Sequence, residues 1–212
     1  NINPNATFYN LDLSDHMDVM NLVASITSTQ KIDVIFHFAA KARVQPSIEH
    51  PYYFNKTNVD GTLNILNAAH KFGIKRVVYS ASSSAYGNTE VYPTPETTST
   101  NPLSPYKLQK YIGEQYCKVF SDVYGLETVS LRYFNVYGER QCLEGAYRLV
   151  LGIFAKQKIQ GKPLTITNDG NQKRDFTYVG DVVNANILAG TSTIKFKGDT
   201  FNIGNGNNYS IN

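Results

Sequence analysis

Three near-continuous apolar runs constrain this chain more than any other feature: DVIFHFAA (33–40), RVVYSAS (76–82) and ETVSLRYF (127–134). A strand with one wet face alternates apolar and polar residues. These runs do not, so they read as strands covered on both faces. Helical patterns separate them. HMDVMNLVASI (16–26) has amphipathic spacing, a helix is expected from Pro51 through NVDGTLNILNAAHKF to a capping Gly73, and another from Pro105 to about Tyr124, stopped by Gly125. Buried strands alternating with helices define an α/β, doubly wound, Rossmann-type parallel sheet, whose ligands lie at the carboxyl ends of the strands. TFYNLDL (7–13) reads as a further short strand. Beyond Asn135 the pattern predicts a loop over QCLEGAYRL, a helix over 148–161, short strands and turns in PLTITNDGNQKRDFTYV, a helix at 181–189 and a strand at FNIG (201–204).

A dinucleotide-binding fold needs a glycine-rich turn after its first strand, so that a pyrophosphate meets a helix N-terminus. No such motif occurs in the 212 residues, and Gly204-Asn205-Gly206 lies at the wrong end. A net charge of +3, with both signs scattered, argues for no nucleic-acid or membrane surface. Two cysteines, Cys117 and Cys142, without C-x-x-C or metal-ligand spacing, make a disulfide framework or metal site unexpected and suit a reducing compartment. With no long apolar run and no signal peptide, the expected location is cytoplasmic.

SPYKLQK (104–110) carries the first chemical signal. Ser104 is a good N-cap and Pro105 suits the first helical position, so Tyr106 and Lys110 fall at i and i+4 on one helix face. A tyrosine becomes a neutral-pH base when its pKa drops about three units, roughly 4 kcal/mol. An ammonium about 4 Å away at an effective dielectric near 20 supplies that much. The pair is chemically sufficient, but its spacing is common. More polar residues gather at the predicted strand ends: SASSSAYG (80–87) with four serines, the small residues of HFAAKA (37–42), and RYFNVYG (132–138), whose Tyr133 and Asn135 are expected in the same crevice. His37 reads as a structural histidine and Asp181 as a helix cap.

Taken together, Asp12 in YNLDLSD, HFAAKARVQPS, NVDGTLNIL, SASSSAYG, SPYKLQK, LRYFNVYGERQ, KRDFTYVGDV and FNIGNG resemble, in order, the extended short-chain dehydrogenase/reductases, specifically the NAD-dependent nucleotide-sugar epimerase/dehydratase family. LSPYKLQKY, RYFNVYGERQ with EGAYRLV, and QGKPLTI-NDGNQKRDF look most like UDP-N-acetylglucosamine 4-epimerases. The resemblance implies 4-epimerisation of a UDP-sugar through a transient 4-keto intermediate, with UDP-GlcNAc/UDP-GalNAc ahead of UDP-glucose/UDP-galactose. It implies Tyr106 as base, Lys110 as the residue binding the nicotinamide ribose, and Ser82 as the hydroxyl on the sugar O4. Asp12, Leu13, Phe38, Ala39, Ala40, Lys41, Asn58 and Tyr133, with Tyr106 and Lys110, would bind NAD. Ser83, Ser84, Asn135, Val150 and Arg174 would bind the substrate, Asn135 and Arg174 at its diphosphate.

Similar dehydratases and decarboxylases carry an acid just after the Ser82 position, where this chain has Ser83 and Ser84. Epimerisation therefore fits best. A UDP-glucuronate epimerase or decarboxylase, a sugar dehydratase, and a non-catalytic binding relative stay open. Arg43, Thr165 and Thr167 depart from the expected pattern near the sugar nucleotide. By the same resemblance, 1–138 is an incomplete NAD-binding domain, 139–175 part of a sugar-nucleotide lobe, and 176–212 a return segment. The chain is expected to be an internal fragment lacking the glycine-rich unit and C-terminal helices, and the protein a homodimer through helices 51–72 and 105–124.

Overall fold

The structure, a computed structural model, describes residues 3–143, 149–167 and 169–212. In chain order the elements are α1 (His16–Thr27), β1 (Val34–His37), α2 (Val44–Glu49), α3 (Pro51–Asn55), a π-helical turn (Lys56–Asp60) and α4 (Gly61–Lys71). Then come β2 (Arg76–Ser82), a 3₁₀ turn (Ser83–Tyr86), α5 (Pro105–Tyr124), β3 (Glu127–Tyr133) and β4 (Asn135–Tyr137). α6 (Val150–Ile159), β5 (Lys173–Arg174), β6 (Phe176–Tyr178), α7 (Val179–Thr191), β7 (Asp199–Ile203) and β8 (Tyr209–Ser210) complete the series.

β1, β2, β3 and β7 form one parallel sheet in the order β1-β2-β3-β7, with Ser82, Tyr133 and Ile203 level across its carboxyl edge. Small ladders β4-β6 and β5-β8 lie beyond that edge. The expected strands covered on both faces occur at β2 and β3. Val77, Tyr79 and Ala81 pack with α1, α4 and α5, while Val78, Val129 and Leu131 pack with Ala189 of α7 and Phe196. β1 is less enclosed: Phe36 is 41% exposed.

α5 starts and stops as its sequence dictates. The Ser104 hydroxyl accepts from the Lys107 N–H, Pro105 occupies the first turn, and Gly125 closes the helix in the left-handed region at φ 69°. Gly113 has a different task. A Cβ there would sit 2.2 Å from the Tyr79 hydroxyl oxygen, so only glycine lets α5 settle onto β2. Tyr79 donates to the Lys110 carbonyl at 3.2 Å and locks the contact.

Three expectations are corrected. Residues 7–13 form no strand. A strand needs a hydrogen-bonded neighbour, and here Leu11 and Leu13 only lay their side chains on the core. The single helix expected from Pro51 is broken into α3, the π turn and α4, and α2 precedes it. Finally, α7 begins at Val179 with Tyr178 at its cap position, leaving Asp181 in the first turn. The predicted helix over 148–161 is α6, with residue 148 outside the described ones, as is most of the predicted loop before it. Among the described residues no helix is long and apolar enough to cross a membrane.

Arg76 ties the amino edge together. It is 1% exposed, pairs with Glu127, donates to the carbonyls of Ala189 (2.8 Å), Ser192 (2.9 Å) and Ile194 (2.9 Å), and lies 4.9 Å from the Phe196 ring. A cation at the C-terminus of α7 also complements the helix dipole. Arg76→Met should lower unfolding stability by about 3–5 kcal/mol, because it strands those carbonyls and Glu127. Urea unfolding of the natural gene product would measure this, and a loss under 1 kcal/mol would contradict it.

Candidate active site

The candidate residues come from separate elements: Ser82 ends β2, Tyr106 and Lys110 lie in the first turns of α5, and none of these three lines either cleft of the structure. Lys110 is the most constrained. It is 4% exposed, its ammonium lies 4.6 Å from the Tyr79 ring centroid, and burial lowers its pKa to about 8. Among the described residues no carboxylate forms an ion pair with it. Tyr106, one turn earlier on α5, is half-buried, and its backbone N–H donates to the hydroxyl of the wholly buried Ser47 at 3.1 Å. Ser47 in turn donates to the Val44 carbonyl at 2.6 Å, so α2 is anchored to the first turn of α5.

Ser82 ends β2 and caps the following 3₁₀ turn. Its hydroxyl accepts from the Ser84 N–H at 3.2 Å and donates to the Ser84 hydroxyl at 2.8 Å. Ser83, Ser84, Asn135 and Arg174 all line one cleft of about 850 Å³, which Lys107 of α5 also borders. Asn135 donates through its side chain and backbone to the Asp175 carbonyl, at 2.9 and 3.1 Å. Arg174 is exposed, with one guanidinium N–H on the Lys173 carbonyl. A smaller cleft of about 280 Å³ adjoins, also bordered by Asn135 and Arg174 and including Val150, Arg43, Thr165 and Thr167. Arg43 holds a backbone φ of 102°, a conformation that costs a non-glycine residue about 1–3 kcal/mol.

Sequence reasoning missed two carboxylates in the larger cleft, Glu96 and Asp175. Both accept backbone hydrogen bonds. Glu96 accepts from the Asn202 N–H at 2.8 Å, and Asp175 accepts from the Asn205 and Gly206 N–H groups at 2.9 and 2.8 Å.

The residues expected around the cofactor form a second group, off these two clefts. Asp12 accepts from the backbone and hydroxyl of Ser14, which together hold its carboxyl below the usual range, with Lys56 and Lys41 adding to the effect. The Leu13 carbonyl accepts from Asn64 at 2.9 Å. Phe38 is 54% exposed beside Ala39 and Ala40 at the end of β1. Lys41 donates to the Tyr53 hydroxyl at 2.7 Å. Asn58, 1% exposed in the π turn, accepts from the Lys41 N–H at 2.7 Å and donates to the Lys41 carbonyl at 2.9 Å. Tyr133 departs from the expectation that its side chain opens into the crevice. It packs in the α7-side core and donates to Asn186 at 3.0 Å, burial raising its pKa.

The chain matches the NAD dependent epimerase/dehydratase family over residues 1–204 and belongs to it. It is 42% identical over its whole length to a putative UDP-glucose 4-epimerase of Methanocaldococcus jannaschii, covering 67% of that protein. UDP-glucose 4-epimerase of Thermotoga maritima, solved with UDP-glucose, superposes with a TM-score of 0.91 at 38% identity over 99% of this chain and 66% of its own. UDP-N-acetylglucosamine 4-epimerase of Methanobrevibacter ruminantium, solved with UDP-N-acetylmuramic acid, gives 0.89 at 36% over 99% and 65%. The chain thus spans about two thirds of each relative, and the plain and N-acetylated sugar enzymes are similar to it in nearly equal degree.

His37 supplies a pH test. Its Nε2 meets the Thr62 hydroxyl at 3.0 Å, and burial, with Lys110 nearby, drives its pKa down to about 3. The folded value lies below the unfolded one near 6.5, so from pH 6.5 to 3 the unfolded chain binds the extra proton. Stability should fall as pH drops through that window, by up to about 1.4 kcal/mol per unit. In His37→Gln the slope between pH 6 and 4 should be shallower by about 1 kcal/mol per unit in urea titrations; equal slopes would refute a neutral buried imidazole.

Proposed function

We propose that this chain contributes the sheet, the catalytic helix and part of the substrate cleft of an NAD-dependent 4-epimerase acting on a UDP-sugar. The observation that carries the reading is Lys110: an ammonium buried without a carboxylate partner among the described residues, one helical turn from Tyr106, against the Tyr79 ring of a parallel sheet. Such a cation is satisfied by a polar acceptor that arrives with a ligand, and the ribose hydroxyls of a nicotinamide dinucleotide suit it. Exposed Phe38, with Ala39 and Ala40 beside it, leaves room for a flat ring system. Asp12, Leu13, Lys41 and Asn58 complete the set that would hold the cofactor.

When bound, NAD supplies the hydride acceptor. Tyr106 takes the proton from the sugar O4, and Lys110 favours the phenolate by its charge. With a pKa of about 8, Lys110 stays mostly protonated at pH 7. Ser82 hydrogen-bonds O4 and passes on its proton by turning its hydroxyl away from Ser84. Asn135 and Arg174 grip the diphosphate, with Ser83, Ser84 and Val150 against the rest of the sugar nucleotide. Residues 1–138 would form the cofactor domain, 139–175 part of the sugar-nucleotide lobe and 176–212 the return between them. Ser83 and Ser84, and no acid, follow Ser82, while Glu96 and Asp175 hold backbone N–H groups elsewhere in the cleft, which favours epimerisation over the C5 and C6 proton transfers of a dehydratase. Oxidation at C4 would then reverse, on either face of the sugar. UDP-GlcNAc/UDP-GalNAc is the proposed pair, on the SPYKLQK and NDGNQKRDF segments, with UDP-glucose/UDP-galactose as the alternative.

Denaturing the natural gene product should release about one NAD per chain, and the intact protein should interconvert the C4 epimers without releasing CO2 or water. Tyr106→Phe should lower kcat by about 10²–10⁴-fold. An unchanged rate would sink the mechanism. For the proposed homodimer, α5 offers exposed Leu108, Val119 and Val123 and the neighbouring segment exposed Tyr52 and Tyr53. Val119→Glu should therefore shift light-scattering mass toward the monomer, and a mass unchanged from wild type would rule this helix pair out.

A further inference from the structure

We propose that Gln109 is a positioning residue that sets the Tyr106–Lys110 helix in register with the loop at the end of β1, and thereby tunes cofactor binding. The inference rests on the epimerase reading above. Gln109 is 4% exposed, and its carboxamide points away from the sheet core toward the segment 41–58. Its Nε2 donates to the Pro51 carbonyl at 3.3 Å, at the start of α3. Its Oε1 accepts from Asn58 Nδ2 at 3.0 Å. The same Asn58 nitrogen donates to the Lys41 carbonyl at 2.9 Å, and its Oδ1 accepts from the Lys41 N–H at 2.7 Å. A continuous amide chain therefore runs from α5 through the π turn to the backbone beside Ala40.

The π turn makes this chain possible. A wider turn adds a residue within the helix and redirects the side chains on either side, and such turns concentrate at functional sites. Here it leaves Asn58 buried and facing both Lys41 and Gln109. A buried amide is an expensive way to fill space, since an apolar side chain of similar volume leaves nothing to satisfy. What a satisfied polar network adds is a defined geometry. Gln109 neighbours Lys110 and lies three residues after Tyr106, so a rotation or slide of α5 that broke its bonds would also displace both. The loop it reaches carries Phe38, Ala39, Ala40 and Lys41. Removing the amide should loosen the relation between these two groups while leaving the sheet and the substrate cleft intact.

The test compares wild type, Gln109→Met, Asn58→Asp and the double variant of the natural gene product, stripped of cofactor and titrated with NAD+ by calorimetry. Gln109→Met is expected to weaken NAD+ binding about tenfold, with KM for the UDP-sugar within twofold and a melting temperature within a few degrees of wild type. The double variant should cost no more than the larger single one, because both break the same chain. NAD+ affinity within twofold of wild type in folded Gln109→Met overturns the proposal, as does full additivity with Asn58→Asp. If the methionine variant does not fold, Gln109→Asn, which keeps an amide but is one methylene too short to bridge both partners, is read by the same criteria. Wild-type protein that neither binds NAD+ nor epimerises would instead overturn the epimerase reading, a different and recognisable outcome.

Discussion

The seating of α5 on β2 is the contact on which the rest of the molecule depends. Gly113 removes the Cβ that would strike the Tyr79 hydroxyl, and the same hydroxyl reaches the Lys110 carbonyl. Once the helix lies this close, the Lys110 side chain has nowhere to go but across the Tyr79 ring, out of water. Desolvation then lowers its pKa to about 8, so the fold itself produces a cation held at some electrostatic cost beside a tyrosine. Between about pH 8 and 10.5 that cost fades, since a depressed lysine pKa makes the folded state easier to hold as the proton leaves. Such a buried cation is held because neighbouring layers over-determine its position.

The two edges of the sheet handle charge differently. At the amino edge, Arg76 and Glu127 are the first residues of β2 and β3, paired across the ladder, with the guanidinium further saturated by carbonyls in the last turn of α7 and just beyond it. Nothing there is left to react. Toward the carboxyl edge, Arg132 pairs with Glu114 of α5, both about 5% exposed, and lies 4.6 Å from the Tyr86 ring centroid. Its Nη1 is buried without a hydrogen-bond partner. Polar groups beyond it, Ser83, Ser84, Asn135 and Arg174, open onto the cleft. Closed charge at one edge and open charge at the other is what a parallel sheet with ligands at its carboxyl ends requires.

Much of this was legible from residues alone. β2 and α5 fall where continuous apolar runs and a Ser-Pro start with a Gly stop put them, because those signals are local. The segment 7–13 has the composition of a strand but no ladder, since strand pairing is a property of two segments and composition belongs to one. The π turn was equally hidden. Nothing in KTNVD distinguishes it from an α-helical turn, and only the folded chain shows the wider winding with Asn58 turned onto Lys41.

The site divides along the same line. Sequence by itself determined which groups stand in which element: a tyrosine and lysine on one helix face, a serine-ended strand, an asparagine and an arginine near the later strands, all encoded within short windows. Tertiary structure alone decided which groups those residues meet. Gln109 and Ser47 sat in plain view within SPYKLQK and HFAAKARVQPS, yet their partners Asn58 and Tyr106 lie 51 and 59 residues away. Tyr133 went to the α7 face and not into the crevice, because its hydroxyl found Asn186 there. Residue type sets what a side chain can do with a proton or a charge. Its surroundings, assembled across the whole chain, set which proton and which charge it faces.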